Sequence, residues 1–151
     1  MFFAVDPPAH VADNIYIGSY ASAQNAGALT DMGITGIINM SCMGYNTKLP
    51  RLDLNMDDTD INSYIAPFMM SQFSKGIRVL SARQAPILVH CAAGINRSAT
   101  LIALYLVSIG WAPDDAIAAL AAANKKRGVP LLTNQSFKRL IYAYHRELSK
   151  Q

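Results

Sequence analysis

Two residues with the chemistry to attack and hold a phosphate stand six positions apart, within the stretch His90-Cys91-Ala92-Ala93-Gly94-Ile95-Asn96-Arg97-Ser98. The residues between them form a loop just long enough to wrap a tetrahedral anion, with backbone N–H groups expected to point inward as an anion-binding nest. The thiolate of Cys91 would attack phosphorus, and the guanidinium of Arg97 would pair with two phosphate oxygens. The predicted phosphate-binding residues are therefore Ala92, Ala93, Gly94, Ile95, Asn96 and Arg97.

The surroundings of Cys91 are expected to keep it ionised. A helix predicted to begin near Ser98 adds its positive dipole end to the charge of Arg97, and comparable cysteines have pKa values of about 3.5–7.5, against roughly 8.5 for a free one. Ser98 can donate a hydrogen bond to the sulfur and help it leave when a phosphocysteine is hydrolysed. Gly94 permits a backbone conformation that a side chain would obstruct. His90 is predicted to support the loop and not to act as a ligand or base.

A carboxylic acid must protonate the leaving oxygen as its bond to phosphorus breaks. Asp57 and Asp58 follow a predicted strand and precede a predicted helix, where a loop could reach over the 91–97 loop. Asp53 lies on the strand itself, and Asp60 is close to the helix start, where a capping role suffices. The residues alone leave Asp57 and Asp58 as the two candidates.

The elements that must position these groups alternate along the chain. Apolar and β-branched runs predict strands over residues 15–18, 34–40, 52–56 and 85–90. Helical spacing and end signals predict helices over residues 21–32, 63–80, 98–109, 113–123 and from about 134 to 148. This alternation predicts an α/β fold with a central sheet flanked by helices, and ligands of such sheets bind just past the carboxyl ends of strands. The turn after His90 has that position.

The composition indicates a single compact domain over residues 1–151. Of the 151 residues, 52% are hydrophobic and 15% are charged, which excludes a disordered chain. A net charge of +3 is too small to predict nucleic-acid binding, and two cysteines do not make a disulfide scaffold. We expect no contact with a membrane, because no apolar run reaches the roughly 18 residues of a membrane span. The N-terminal residues 1–8 do not resemble a signal peptide, so a cytoplasmic location, with access to the nucleus left open, is expected.

The 90–98 stretch resembles the signature loop of protein tyrosine phosphatases, and the chain from about Val11 to Leu148 resembles their compact dual-specificity branch. Residues 12–19 and 33–41 are similar to strands of that branch, and residues 134–140 are similar to its closing helix. The resemblance implies a central mixed, mostly parallel sheet. It also implies removal of phosphate from protein tyrosine and serine or threonine through a phosphocysteine, with a phosphorylated protein as partner and neither metal nor other cofactor. Asn134 would support the loop.

The resemblance also favours one of the two acid candidates. In the family, the acid is followed by apolar helix positions six and ten residues later. From Asp58 these positions fall on Tyr64 and Phe68, whereas from Asp57 they fall on Ser63 and Pro67. Asp58 is therefore the predicted general acid.

Two other functions compete with this interpretation. The Asn96–Arg97 pair is similar to the RNA 5′-phosphatases of the superfamily, but these continue with Thr-Gly where this chain has Ser98-Ala99. Nucleic acid is accordingly not an expected partner. A phospho-protein binding module without turnover would typically lack the cysteine or the acid, and both residues are present.

Two further features have alternative interpretations. Cys42 ends a predicted strand near the site, where it could form a reversible disulfide with Cys91 under oxidation or serve as a small buried hydrophobe. Lys125, Lys126 and Arg127 follow a predicted helix. By resemblance they could bind a second phosphate at the rim of the site, or they could be a solvated helix end whose cations suit the dipole.

Overall fold

The computed structural model describes residues 7–151, so most of the segment considered as a signal peptide, residues 1–6, lies outside the described residues. Five short strands form within this range: β1 Ala9–Ala12, β2 Ile15–Gly18, β3 Gly36–Asn39, β4 Arg51–Asp53 and β5 Ile87–His90. The α-helices are α1 Ala26–Asp31, α2 Ala66–Ala82, α3 Arg97–Ser108, α4 Pro113–Arg127 and α5 Gln135–Leu148. In the described part of the chain, no helix combines the length and apolarity needed to cross a membrane.

The strands form one sheet in the order β1-β2-β5-β3-β4. Strand β1 is antiparallel to β2, and the other neighbours are parallel, with Ile17 and Ile38 flanking Val89 in register. The predicted α/β fold with a mixed, mostly parallel sheet is confirmed. Strands β3 and β5 are buried at every position, as expected for parallel strands covered on both faces.

Alternate residues of the central strands pack into two apolar clusters. Ile38 and Val89 join the larger one, to which α2, α3, α4 and α5 contribute, whereas Ile37 and Leu88 join a smaller one with Leu29 of α1. Because successive strand side chains point to opposite faces, the two clusters cover opposite sides of the sheet. Between these layers the carboxyl end of β5 leads into the 91–97 loop, and α3 begins at Arg97.

Several elements differ from the sequence prediction. The helix predicted over residues 21–32 is split at Asn25, whose side chain accepts from the Ala28 N–H at 3.1 Å and caps α1. Strand β1 was not predicted, and β4 stops at Asp53. Helix α2 begins at Ala66 instead of residue 63, although the Asn62 side chain accepts from the N–H groups of Tyr64 and Ile65 in the manner of a helix cap.

Another difference concerns the end of α4. This helix continues to Arg127 and stops at Gly128, which has a φ of 71° in the left-handed region that glycine adopts readily. The three cations therefore form the last turn of α4 instead of following it.

Candidate active site

The 91–97 loop is fixed by contacts from several parts of the chain. Tyr20 N–H donates to the carbonyl of Ala92 at 2.9 Å, and Leu132 N–H donates to that of Ile95 at 2.9 Å. Gly94 has a φ of 71°, and a Cβ atom there would lie 2.6 Å from the carbonyl oxygen of Gly18. Both its conformation and its close approach to β2 therefore require glycine.

Helix α4 holds the outer side of this loop, a contact that the sequence analysis missed. Arg127 donates from Nη2 to the Ala93 carbonyl at 2.9 Å and from Nη1 to the Gly94 carbonyl at 3.0 Å. Asn124 Nδ2 also donates to the Gly94 carbonyl, at 2.9 Å. In a trans peptide the N–H points away from the preceding carbonyl, so the N–H groups of Gly94 and Ile95 face away from α4, as an anion-binding nest requires.

The thiol of Cys91 is buried, with Sγ 3.2 Å from Oγ of Ser98. Burial by itself would raise the pKa of Cys91. This effect is outweighed by hydrogen bonds from the hydroxyl and N–H of Ser98, the positive charge of Arg97 and the N–H of Gly94, so the net effect is a lowered pKa. These donors favour the anionic form of the sulfur, which is the form that acts as a nucleophile.

The guanidinium of Arg97 is also buried, and one of its groups has a fixed partner. Nη1 donates to the carbonyl of Met56 at 2.9 Å, which anchors the arginine to the segment after β4. Nε is buried and has no hydrogen-bond acceptor among the residues that the structure describes. A buried donor without an acceptor is costly, so this N–H is suited to an incoming anion.

His90 lies directly behind the cysteine and is fully buried. Nδ1 is 3.1 Å from the carbonyl oxygen of Cys91, and Nε2 is 2.7 Å from the hydroxyl of Tyr45. Burial lowers the pKa of His90 to about 4, so the imidazole is neutral near pH 7. A carbonyl only accepts, so Nδ1 carries the proton and Nε2 accepts from Tyr45.

The carboxylate of Asp58 is exposed but held by two amides. Asn96 Nδ2 donates to Oδ2 at 2.8 Å, and Asn134 Nδ2 donates to Oδ1 at 2.9 Å. The N–H of Asn134 in turn donates to Oδ1 of Asn96 at 2.9 Å, and Asn134 caps α5 by accepting from Phe137 N–H at 3.2 Å. The structure thus brings Asp58, Asn96 and Asn134 together at the edge of the 91–97 loop.

Cys42 is exposed, so its interpretation as a buried hydrophobe is wrong. It follows β3 with a φ of 63°, and its thiol donates to the carbonyl of Met56 at 3.2 Å. This carbonyl also accepts from Arg97. A disulfide between Cys42 and Cys91 stays a prediction, as does binding of a second phosphate by the cations of α4.

Comparisons with known proteins fit this geometry. Residues 15–147 match the family model described as dual specificity phosphatase, catalytic domain. The chain is 30% identical over 141 residues to the dual specificity protein phosphatase OPG106 of variola virus, an alignment that covers 87% of this chain and 78% of the viral protein. It is 29% identical over 138 residues to the tyrosine-protein phosphatase yvh1 of Schizosaccharomyces pombe, covering 89% of this chain but 40% of the yeast protein.

A solved structure shows the same fold. The crystal structure of human tyrosine phosphatase-like serine/threonine/tyrosine-interacting protein has a TM-score of 0.75 and 22% identity, covering 95% of this chain and 99% of that one. The family match extends over most of the chain and includes the 91–97 loop and the segment that carries Asp58. The chain therefore belongs to the dual specificity phosphatase family, a family of hydrolases that act on phosphorylated proteins.

Proposed function

We propose that the protein hydrolyses phosphotyrosine and phosphoserine or phosphothreonine in protein substrates through a phosphocysteine on Cys91. One observation carries this proposal: the buried Nε of Arg97 has no acceptor among the described residues, and it belongs to the same loop as a cysteine of lowered pKa. A phosphate would give this N–H its acceptor while its phosphorus faces the sulfur. The N–H groups of Ala92, Ala93, Gly94, Ile95 and Asn96 would hold the remaining phosphate oxygens.

The reaction would proceed in two displacements at phosphorus. In the first, the Cys91 thiolate forms the S–P bond as the P–O bond to the substrate breaks, and Asp58 as a carboxylic acid gives its proton to the leaving oxygen. In the second, water attacks phosphorus and loses a proton to the Asp58 carboxylate. The S–P bond breaks in this step, and Ser98 stabilises the departing thiolate by donating to it.

The remaining residues of the proposed site act by position. His90 and Asn134 would support the 91–97 loop through the hydrogen bonds described above. The proposed catalytic unit is one domain, because the larger apolar cluster contains residues from β1 to α5. This mechanism uses side chains and backbone groups of the chain alone.

The covalent mechanism is tested with two substitutions, each assayed for turnover of a small phosphate ester and for binding of tungstate. Cys91→Ser should abolish release of p-nitrophenol from its phosphate ester but keep binding of tungstate, because the N–H nest and Arg97 remain. Arg97→Lys should lose both rate and tungstate affinity, since an ammonium group cannot form the bidentate contact. More than trace turnover by Cys91→Ser would contradict the covalent mechanism.

The substrate class is tested with the wild-type protein. Peptides that carry phosphotyrosine or phosphothreonine should lose phosphate, and 5′-triphosphorylated RNA should be a poor substrate in a parallel assay. Faster release from the RNA than from either peptide would replace this proposal with the RNA 5′-phosphatase alternative. Tungstate binding without turnover of any substrate would instead indicate a binding module.

A further inference from the structure

A cavity of about 280 Å³ lies beside the proposed phosphate site. It is located between Cys42, in the loop after β3, and the start of α2. We call it the Phe68 cavity, and its apolar wall consists of Met56, Ile65, Phe68 and Met69. The backbone of Met56 connects it with the phosphate site, because the carbonyl accepts both from Arg97 at 2.9 Å and from the Cys42 thiol at 3.2 Å. The two sites therefore share a wall.

The Phe68 cavity combines an apolar wall, which carries one exposed aromatic side chain, with a polar side formed by Asn55, Asp57 and Thr59. Among the described residues, the large hydrophobic side chains that are exposed are Met43, Tyr64, Phe68 and Ile109. Phe68 lines the cavity with 56% of its surface exposed, and Met43 and Tyr64 are chain neighbours of two other lining residues. Single exposed apolar side chains are ordinary on a protein surface. An exposed aromatic side chain that lines a cavity, beside a site that must contact a macromolecule, indicates binding.

We infer that the Phe68 cavity is a substrate subsite for one apolar side chain close in sequence to the phosphorylated residue. This inference rests on the function proposed above. A volume of about 280 Å³ is at the lower end of the roughly 300–1,000 Å³ of ligand pockets, which leaves room for one side chain of a larger substrate. Consecutive Cα atoms are 3.8 Å apart, so a residue near the phosphorylated one would reach a cavity that shares the Met56 wall.

The apolar wall favours an apolar residue over an anionic one, which would also lie beside the carboxylate of Asp57. A leucine, methionine or phenylalanine side chain would cover Phe68 and the half-buried Ile65, removing apolar surface from water on both partners. One such apolar contact changes kcat/KM by about 10–200-fold. We expect a value near the lower end, because Phe68 stays partly open to solvent.

The experiment places leucine in turn at each of the two positions on either side of phosphotyrosine in an otherwise alanine-rich peptide. The wild-type protein should show about tenfold higher kcat/KM for leucine than for alanine at one of these positions, mainly through KM. Phe68→Ala should bring this ratio of kcat/KM values close to one. Phe68→Lys, which places a charged group at the apolar wall, should do the same. Ile109→Ala, at the far end of α3, is the matched control and should keep the ratio.

The outcomes separate this inference from the proposed function. Failure of the wild-type protein to hydrolyse p-nitrophenyl phosphate would overturn the proposed function and the subsite with it. Hydrolysis of that ester without leucine preference at any position, or with a preference that both Phe68 variants keep, would overturn the subsite alone. A dimer of the wild-type protein that Phe68→Lys dissociates, without leucine preference, would assign the patch to self-association and likewise overturn the subsite.

Discussion

Asn96 donates a hydrogen bond from Nδ2 to Oδ2 of Asp58 at 2.8 Å, joining two segments that are far apart in the sequence. Asn96 is the last residue before α3, and Asp58 lies between β4 and α2. The second carboxylate oxygen accepts from Asn134 at 2.9 Å. Two amides thus fix both the position and the plane of the carboxyl group against the 91–97 loop.

This contact yields a prediction about the two acid candidates. Asp58→Asn should lower kcat for phenyl phosphate by about 10²–10⁴-fold, the usual contribution of a positioned acid, with little change in substrate binding. The variant should also lose the alkaline limb of its pH–rate profile, because that limb marks the loss of the proton that the leaving oxygen needs. Phenyl phosphate is chosen because its poor leaving group depends strongly on the acid.

The neighbouring substitution Asp57→Asn provides the comparison and should have a much smaller effect on kcat. If Asp57→Asn is the damaging change, the acid has been placed one residue too late. If neither variant loses rate on phenyl phosphate, the proton comes from another group and this step of the mechanism is wrong.

A second prediction concerns Asn96 as a positioning residue for Asp58. Asn96→Ala removes the amide that fixes one carboxyl oxygen of Asp58, and we expect kcat for phenyl phosphate to fall by about tenfold, because the acid is then less well placed to protonate the leaving oxygen. In the Asp58→Asn background the same substitution should cost much less, because the acid that it positions is already absent. Kinetics of both single variants and the double variant give the comparison. Equal losses in the two backgrounds would mean that Asn96 only stabilises the loop.

The elements that flank the site were predictable because burial on both sides demands unbroken apolar runs. The runs at residues 85–90 and 98–109 became β5 and α3 almost unchanged. Strand β1 was missed because its buried positions are Ala9 and Ala12, and alanine has little preference for strands. The available signal was the turn at Asp13 and Asn14, where Asp13 has a φ of 47°.

The support of the loop by α4 could not be predicted, because it depends on the direction of one long side chain in the folded chain. In the sequence, Lys125, Lys126 and Arg127 form a uniform group of cations. In the structure both lysines are exposed, whereas Arg127 reaches back to the carbonyls of Ala93 and Gly94. Only the packing of α4 distinguishes the three residues.

A third prediction concerns the thiolate. The Ser98 hydroxyl is one of the groups that lower the pKa of Cys91, so Ser98→Ala should raise that pKa and reduce the thiolate fraction at acidic pH. The midpoint of iodoacetamide inactivation against pH should therefore move to higher pH. The variant should also release a burst of p-nitrophenol followed by a slow steady state, because the sulfur becomes a poorer leaving group in the second displacement.

Ser108→Ala is the matched control for this experiment. Ser108 ends the same helix, and its hydroxyl donates to the Tyr105 carbonyl at 2.6 Å, away from the sulfur. Its alkylation midpoint and steady-state rate should resemble those of the wild-type protein. An unchanged midpoint in Ser98→Ala would mean that the backbone N–H groups and Arg97 hold the thiolate without the hydroxyl.

The last prediction follows from the neutral imidazole of His90. Its pKa is about 4 in the folded protein and about 6.5 when unfolded, so between these values the unfolded chain binds more protons. The free energy of unfolding should therefore fall as the pH decreases through this window. One pKa unit corresponds to about 1.36 kcal/mol, so His90 alone should remove about 2 kcal/mol of stability between pH 7.5 and pH 5.

Urea denaturation at the two pH values measures this loss, and His90→Asn provides the reference, because asparagine does not titrate. The variant has a lower stability at both pH values, since the contacts with Tyr45 and the Cys91 carbonyl change, but its loss between them should be smaller by about 2 kcal/mol. Equal losses in the two proteins would mean that His90 takes up its proton in the folded state as readily as in the unfolded chain.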